Sequence, residues 1–405
     1  MTTLVENSHD ERRKTAPDAL PIRVVLAGGG SGGHLSPGIA VAEALKRLRP
    51  SARLLFLAPG RAVEDLLFSS GRFERRRVLS LRGRGGVLSI PHRAMVSLAQ
   101  SLALLARFRP AAVVGLGGFG SVPPALAARA LRIPLVLLEQ NAVPGRANAF
   151  LARSAARVYC AFPSAAKAFP SEAGVVVGNP TRRDSLEGDR EAAIRFFGLE
   201  PNRKTLLVLG GSQGATAVNS AVLAHLPRLG SMRDGVQAIH VTGAADAERV
   251  RGAYEREGVP AFVTPFLSEM GLAYAAADLA LSRAGGTTVA ELFANGVPSV
   301  LVPYPHHADH HQRRNAEEAV SLGAAILAEE KDILDPRSGV FARAVIGLLV
   351  VDPDRRRQMS ARAALAARPD AAERVAEDIL GVAAAGIGAR RPDAFALGTA
   401  RSSAG

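Results

Sequence analysis

The strongest constraint on this chain is a pattern that occurs twice. An unbroken apolar run ends in clustered glycines, and an Ala- and Leu-rich helical stretch follows. Residues 22–33 read IRVVLAGGGSGG, and residues 205–214 read TLLVLGGSQG, about 180 residues later. Apolar runs without alternation suit strands buried on both faces, as in a parallel sheet covered by its crossover helices. Runs at 53–58, 112–116 and 133–138 continue the first set. Runs at 204–209, 236–241, 260–263, 279–282 and 299–302 make up the second. The expectation is an α/β chain of two doubly wound, Rossmann-like parallel-sheet domains facing a central cleft. A length of 405 residues agrees, at roughly 100–200 residues per domain. Ligands of open parallel sheets bind at the carboxyl ends of the strands, so the cleft is the expected site.

The polar stretch 178–202 marks the seam. The expected division is a disordered leader at 1–20, an N-terminal domain at 21–190 and a C-terminal domain at 191–354. A helix at 355–382 is expected to pack back toward the first domain, with a loose Ala-, Gly-, Ser- and Arg-rich tail at 383–405. Cys160 is the one cysteine, which excludes a disulfide framework and a Cys-rich zinc site. No stretch reaches the ~18 uncharged apolar residues of a spanning helix, and the first 20 residues lack the apolar core of an export signal. The reading is a cytoplasmic protein, soluble or peripheral to a membrane.

Fifty basic residues against 37 acidic ones give a net charge of +13, which invites an acidic partner. Nucleic acid is disfavoured: there is no Trp, Tyr occurs four times, and stacking platforms are scarce. Between residues 75 and 109 lie Arg75, Arg76, Arg77, Arg82, Arg84, Arg93, Arg107 and Arg109. Val87, Leu88, Ile90 and Met95 are interleaved with them. That mixture suits an anionic membrane surface; the competing reading is an amphipathic helix packed on its own sheet.

Gly28, Gly30 and Gly33 satisfy a dinucleotide fingerprint after a strand, but a nicotinamide site needs an acid ending the second strand. That strand ends Phe56-Leu57-Ala58-Pro59, with Glu64 and Asp65 only beyond the turn. The glycines around Ser31 instead let backbone approach an anion. His34 follows where a helix should begin and has a pKa range suited to a general base. In the second half, Gly210 to Gly214 form another strand-to-helix turn, with Ser212 inside it. The run Gly285-Gly286-Thr287-Thr288 offers amides to a diphosphate, and Glu291 beyond it can accept bonds from ribose hydroxyls. His306, His307, His310 and His311 include pairs with metal-ligand spacing. Two prolines place the first of them in a loop, and neither a second cysteine nor an acidic cluster completes a site, so the reading is no metal there. Gln312 and Asn315 are instead candidates for sugar hydroxyls or amides.

Six segments occur in order: GGGSGGHLSPG (28–38), EQN (139–141), GNPTR (178–182), GGSQGA (210–215), SRAGGTTVAE (282–291) and DHHQRRNA (309–316). Together they closely resemble the MurG family of N-acetylglucosaminyltransferases of peptidoglycan synthesis, over about residues 21–380. The resemblance implies a GT-B fold and an inverting, metal-independent transfer without a cofactor. The implied donor is UDP-N-acetylglucosamine and the implied acceptor is undecaprenyl-linked lipid I, which becomes lipid II. It implies that the C-terminal domain holds the donor: Leu267 against uracil through its backbone, and Gly286, Thr287, Thr288, Val289, Ala290 and Glu291 around diphosphate and ribose. Ser212 and Arg182 are implied at the diphosphate and Gln312 at the sugar. Ser31, Gly32, Gly33 and Asn141 are implied to complete the site from the first domain. His34 is the implied candidate base and Glu139 a second acid. The implied location is the cytoplasmic face of the inner membrane, docked on anionic lipid through Val87, Leu88, Ile90 and Met95, with the cell-wall synthesis machinery as a further partner.

Three rival readings remain open on sequence: another GT-B glycolipid glycosyltransferase or UDP-sugar 2-epimerase, an NAD-dependent oxidoreductase, and a non-catalytic UDP-sugar-binding or membrane-recruiting subunit. The EQN and GNPTR segments disfavour the first, and the missing ribose acid disfavours the second. Glycine loops in both halves disfavour the third.

Overall fold

The computed structural model describes residues 21–29, 32–68, 71–81, 90–170, 173–211, 214–232, 235–307 and 309–389. The leader 1–20 and residues 390–405 lie outside them. So do Ser31, Val87, Leu88 and Ser212.

Among the described residues, thirteen strands form two sheets, every pair of neighbours parallel. The first holds β1 (Arg23–Ala27), β2 (Arg53–Ala58), β3 (Glu74–Arg77), β4 (Ala112–Gly115), β5 (Leu135–Glu139), β6 (Arg157–Cys160) and β7 (Gly174–Val176), in the order β3-β2-β1-β4-β5-β6-β7. The second holds β8 (Lys204–Leu209), β9 (Val236–Val241), β10 (Ala261–Thr264), β11 (Leu279–Ser282), β12 (Ser299–Leu301) and β13 (Ala325–Leu327), in the order β10-β9-β8-β11-β12-β13. Each sheet carries apolar clusters on both faces, which is why the central strands read as continuous apolar runs. Strand order reverses between β1 and β4, and again between β8 and β11. A crevice opens at each reversal, and the glycine loops after β1, β8 and β11 stand at those two points.

Four strands carry no apolar run long enough to read from sequence: β3, β6, β7 and β13. Edge strand β3 is the sequence ERRR. Its charges suit an edge that must not pair with another chain. Arg75, Arg76 and Arg77 therefore belong to the sheet edge. Arg75 pairs with Asp65 at 2.6 Å and lies over the Phe68 ring. The segment expected to face a membrane thus divides, because its first arginines sit on a strand and its later residues on the helix Ile90–Phe108. That helix buries Ser97, Ser101 and Leu105 and packs on the helix Val122–Ala130. Its opposite side leaves Met95 68% exposed, and Ile90, the first residue of the helix, is 38% exposed.

Residues 355–380 are two helices, not one. Pro353–Ala366 packs on Gly286–Ala294 in the second domain. The chain breaks at Pro369 and resumes as Ala371–Ala389. This last helix lies on Gly32–Leu48 and places Val375, Ala376, Ile379 and Ala383 in the first domain's core. Helix thus continues past residue 383, where a loose tail is expected, because Ala383 is fully buried. Tyr159 Oη donates to Asp378 Oδ2 at 2.6 Å, and Arg47 pairs with Glu373. The chain crosses between the sheets a first time near Gly178, whose φ is 90°. A Cβ there would lie 2.5 Å from Arg368 Cβ, so the two crossings touch and glycine is needed at the contact. No described helix is long and apolar enough to cross a membrane.

Candidate active site

Two helix N-termini meet in the cleft. From the first domain, Gly32–Leu48 presents Gly32, Gly33 and His34 in its opening turn. From the second, Gly286–Ala294 presents Gly286, Thr287 and Thr288. The first intrahelical bond of the latter is Val289 N to Gly285 O, at 2.9 Å. The three preceding amides thus have no partner within the helix, and Gly285 has no side chain to cap them. The Thr287 hydroxyl donates to Gly33 O at 2.9 Å, and Asn179 Nδ2 donates to Thr287 Oγ1 at 3.3 Å. Each helix start carries about half a positive charge, so two of them converging favour an anion between them.

The domains are held in register by buried amides. Asn315, fully buried, accepts from Ala142 N at 2.7 Å and donates to Asn141 Oδ1 at 3.1 Å and Ala284 O at 2.9 Å. It is therefore a bolt between domains and not the sugar ligand that its place beside Gln312 suggests. Gly286 packs against the other domain so closely that a Cβ there would lie 1.9 Å from Gln140 O.

His34 is half-buried against the turn after β4. A Cβ on Gly117 would lie 2.8 Å from its Cδ2, and one on Gly118 would lie 3.7 Å from its Cε1. Burial, and then the charge of His311 across the cleft, push its pKa down to about 4, so the ring is neutral at pH 7 and able to accept a proton. Glu64 is fully buried and accepts from Gly60 N at 2.7 Å. It lies beneath Gly29, where a Cβ would come within 3.0 Å of its Oε1. It props the glycine loop instead of reaching a ribose.

Glu139 is 3% exposed, at the end of β5. Its Oε1 accepts from Asn141 N at 3.0 Å, and its Oε2 from Gly145 N at 2.9 Å and Asn148 Nδ2 at 2.8 Å. Burial raises its pKa while these bonds oppose the rise. Both oxygens hold the 140–148 loop in shape. Asn141 is held partly open to the cleft by that loop.

On the donor side, Tyr274 Oη donates to Glu291 Oε2 at 2.7 Å. Burial pushes Glu291 up to about 7, while the Tyr274 bond and the Arg182 charge pull it down. Arg182, 17% exposed, pairs with Asp184 at 3.3 Å and faces the same carboxylate. Val289 offers neither group to a ligand: its amide is bonded to Gly285 and its side chain is 1% exposed. Leu267 has its side chain buried in the second domain's core. Gln312 accepts from Tyr304 N at 3.0 Å, which fixes its amide. Arg283 donates to Val302 O and Pro303 O and pairs with Glu330, which braces the same loop. Sequence reasoning passed over Gln140 and Asn179, although both stand inside the segments EQN and GNPTR. Gln140 Nε2 donates to Leu116 O at 3.1 Å, tying the glycine turn under His34 to β5.

The family model described as the glycosyltransferase family 28 N-terminal domain matches residues 24–160, and that of its C-terminal domain matches residues 205–375. The chain belongs to glycosyltransferase family 28. A relative from Geobacter metallireducens is named UDP-N-acetylglucosamine--N-acetylmuramyl-(pentapeptide) pyrophosphoryl-undecaprenol N-acetylglucosamine transferase. It is 38% identical over 369 residues, covering 89% of this chain and 98% of its own. The relative of the same name from Anaeromyxobacter dehalogenans is 39% identical over 88% of this chain and 92% of its own. Among solved structures, Acinetobacter baumannii MurG superposes with a TM-score of 0.69 at 29% identity, covering 89% of this chain and all of that one. A UDP-N-acetylglucosamine 2-epimerase reaches 0.64 at 15% identity over 93% of this chain, a likeness of fold alone. The family 28 match and these neighbours identify the two-sheet architecture as GT-B.

Because Gly286 touches Gln140 O across the cleft, Gly286→Ala is expected to push the helix starts apart. A misplacement near 1 Å typically costs about 100-fold, so kcat/KM should fall by at least about that factor while the melting temperature stays near wild type. Full activity in that variant would show that the contact is not needed.

Proposed function

We propose that this chain transfers N-acetylglucosamine from UDP-N-acetylglucosamine to the 4-hydroxyl of the N-acetylmuramyl-pentapeptide on undecaprenyl diphosphate, converting lipid I to lipid II for peptidoglycan. The observation that carries the reading is the pair of helix N-termini joined by Thr287 and Gly33, in a chain 38% identical to relatives of that name over 89% of its length.

The second domain takes the donor and the first the acceptor. The diphosphate lies against the amides of Gly286, Thr287 and Thr288, with Arg182 beside it, and Gly32 and Gly33 approach it from the opposite helix; Ser31 and Ser212 are added as contacts on the sequence resemblance alone. Glu291 accepts from the ribose hydroxyls, the backbone at Leu267 meets uracil, and Gln312, Ala290 and Asn141 border the sugar. The muramyl hydroxyl attacks the anomeric carbon as its proton passes to His34. The carbon–oxygen bond to the diphosphate breaks on the opposite face, and the configuration inverts. Negative charge grows on UDP as it leaves, where fixed amides stabilise it without reorganising. That charge also opposes the two causes that depress His34, so a bound donor makes the imidazole a stronger base. Glu139 and Asn315 act by positioning.

Labelled UDP-N-acetylglucosamine and a lipid I analogue in detergent should give the disaccharide product with wild type. His34→Ala should lose at least about 100-fold in turnover while still binding UDP. Absence of disaccharide from the wild type would overturn the activity, and full turnover in the variant would remove His34 from the chemistry.

Glu291 supplies a pH test. Its ionised form accepts the ribose bonds, and its pKa is about 7. UDP should therefore bind more weakly as pH falls from about 8 to about 6, and Glu291→Gln should bind weakly at both. Calorimetric affinities for wild type that do not change with pH would refute the ribose role.

We further place the chain on the cytoplasmic face of the cell membrane, held peripherally. Support comes from exposed Met95 and Ile90 beside a basic segment that also holds Val87 and Leu88. Met95→Asp should reduce flotation with anionic vesicles; equal flotation of variant and wild type would count against this face.

A further inference from the structure

The loop that enters the helix His311–Ser321 gathers metal-ligating side chains for which the transfer reaction has no use. His307, Asp309 and His311 each present a ligand atom, all within 4.8 Å of one another. His311 Nδ1 and Asp309 Oδ1 are 2.6 Å apart, and the His307 and His311 rings lie 4.5 Å between centroids. Backbone brings them together. His310 takes a left-handed conformation, φ 47°, and its amide donates to His307 O at 3.0 Å, turning the chain so that residues 307, 309 and 311 converge.

The loop is braced from behind. Tyr304 sets its ring edge-on to His307 at 5.0 Å and under Arg283 at 5.4 Å. Its amide is fixed by Gln312, and Pro303 and Pro305 limit the backbone on either side.

We propose that His307, Asp309 and His311 form a binding site for one transition-metal cation of the zinc class, on the donor-side wall of the cleft. Two imidazoles with one carboxylate are a donor set for zinc or its neighbours and not for magnesium or calcium, which prefer oxygen. With bonds of about 2.0–2.2 Å, ligand atoms around tetrahedral zinc stand roughly 3.3 Å apart. The His311–Asp309 pair need open by only about 0.7 Å, and the widest pair need close by about 1.5 Å. The ion sits between His311 Nδ1 and Asp309 Oδ1, the two atoms that now face each other. Three protein ligands leave a fourth position for water. The transfer chemistry does not pass through this ion; the site is an addition beside Gln312.

The test is cobalt(II) titration of the tag-free full-length protein, followed by visible absorption and by displacement with zinc. One equivalent should bind with the intense absorption of a four-coordinate ion. His307→Ala and Asp309→Asn should weaken binding at least about 10-fold, with unchanged circular dichroism. His306→Ala, which alters a neighbouring imidazole outside the cluster, should leave it unchanged. Binding no tighter than about millimolar, or equal loss in His306→Ala and His307→Ala, would overturn the assignment.

Discussion

The architecture turns on one unfavourable juxtaposition: two helix starts of the same electrostatic sign held against each other. Thr287 bonded to Gly33 keeps them in contact, and the buried amide of Asn315 fixes the two domains around them. Left alone, such converging partial charges repel. An anion placed between them relieves that repulsion and satisfies the orphan amides at once. Site requirements follow from this. Glycine stands where backbone must come within reach. Small polar side chains stand where the domains touch, and Arg182 adds a full charge where two half-charges already point.

Much of this was legible in the sequence, for a physical reason. Strands buried on both faces cannot hide their apolar runs, so β1, β2, β4, β5 and the inner strands of the second sheet appear as uninterrupted hydrophobic segments. Three of the four sheet edges, β3, β7 and β13, were illegible for the converse reason. Strand β3 is written in arginine because one side of it meets water, and β7 and β13 are three residues each, too short to show a pattern. The glycine loops announced the site because no ordinary core needs so many glycines between a strand and a helix.

The roles of individual polar residues were less legible, because sequence gives a side chain's chemistry but not its partners. Glu139 read as a catalytic acid and Asn315 as a sugar ligand, while Glu64 lay too far along the chain for a ribose. Each proved to be buried with its hydrogen-bonding capacity committed to backbone or to a neighbouring amide, which is what makes a buried polar group tolerable. Glu291 and His34 differ: both stand at the cleft, Glu291 with its carboxylate held by Tyr274 and His34 half-buried in the opening turn of its helix.

The last helix has a consequence for how the molecule comes into being. Val375, Ala376, Ile379 and Ala383 are part of the first domain's core, yet they are synthesised after the whole of the second domain. As the chain emerges, the first sheet is complete by Val176 while one face of it has Gly32–Leu48 but not yet the last helix that packs beside it. The second domain can finish folding on its own residues; the first must wait for nearly two hundred more. Domains usually fold in the order in which they are made. Here the core of the N-terminal half cannot be completed until the last helix has been made.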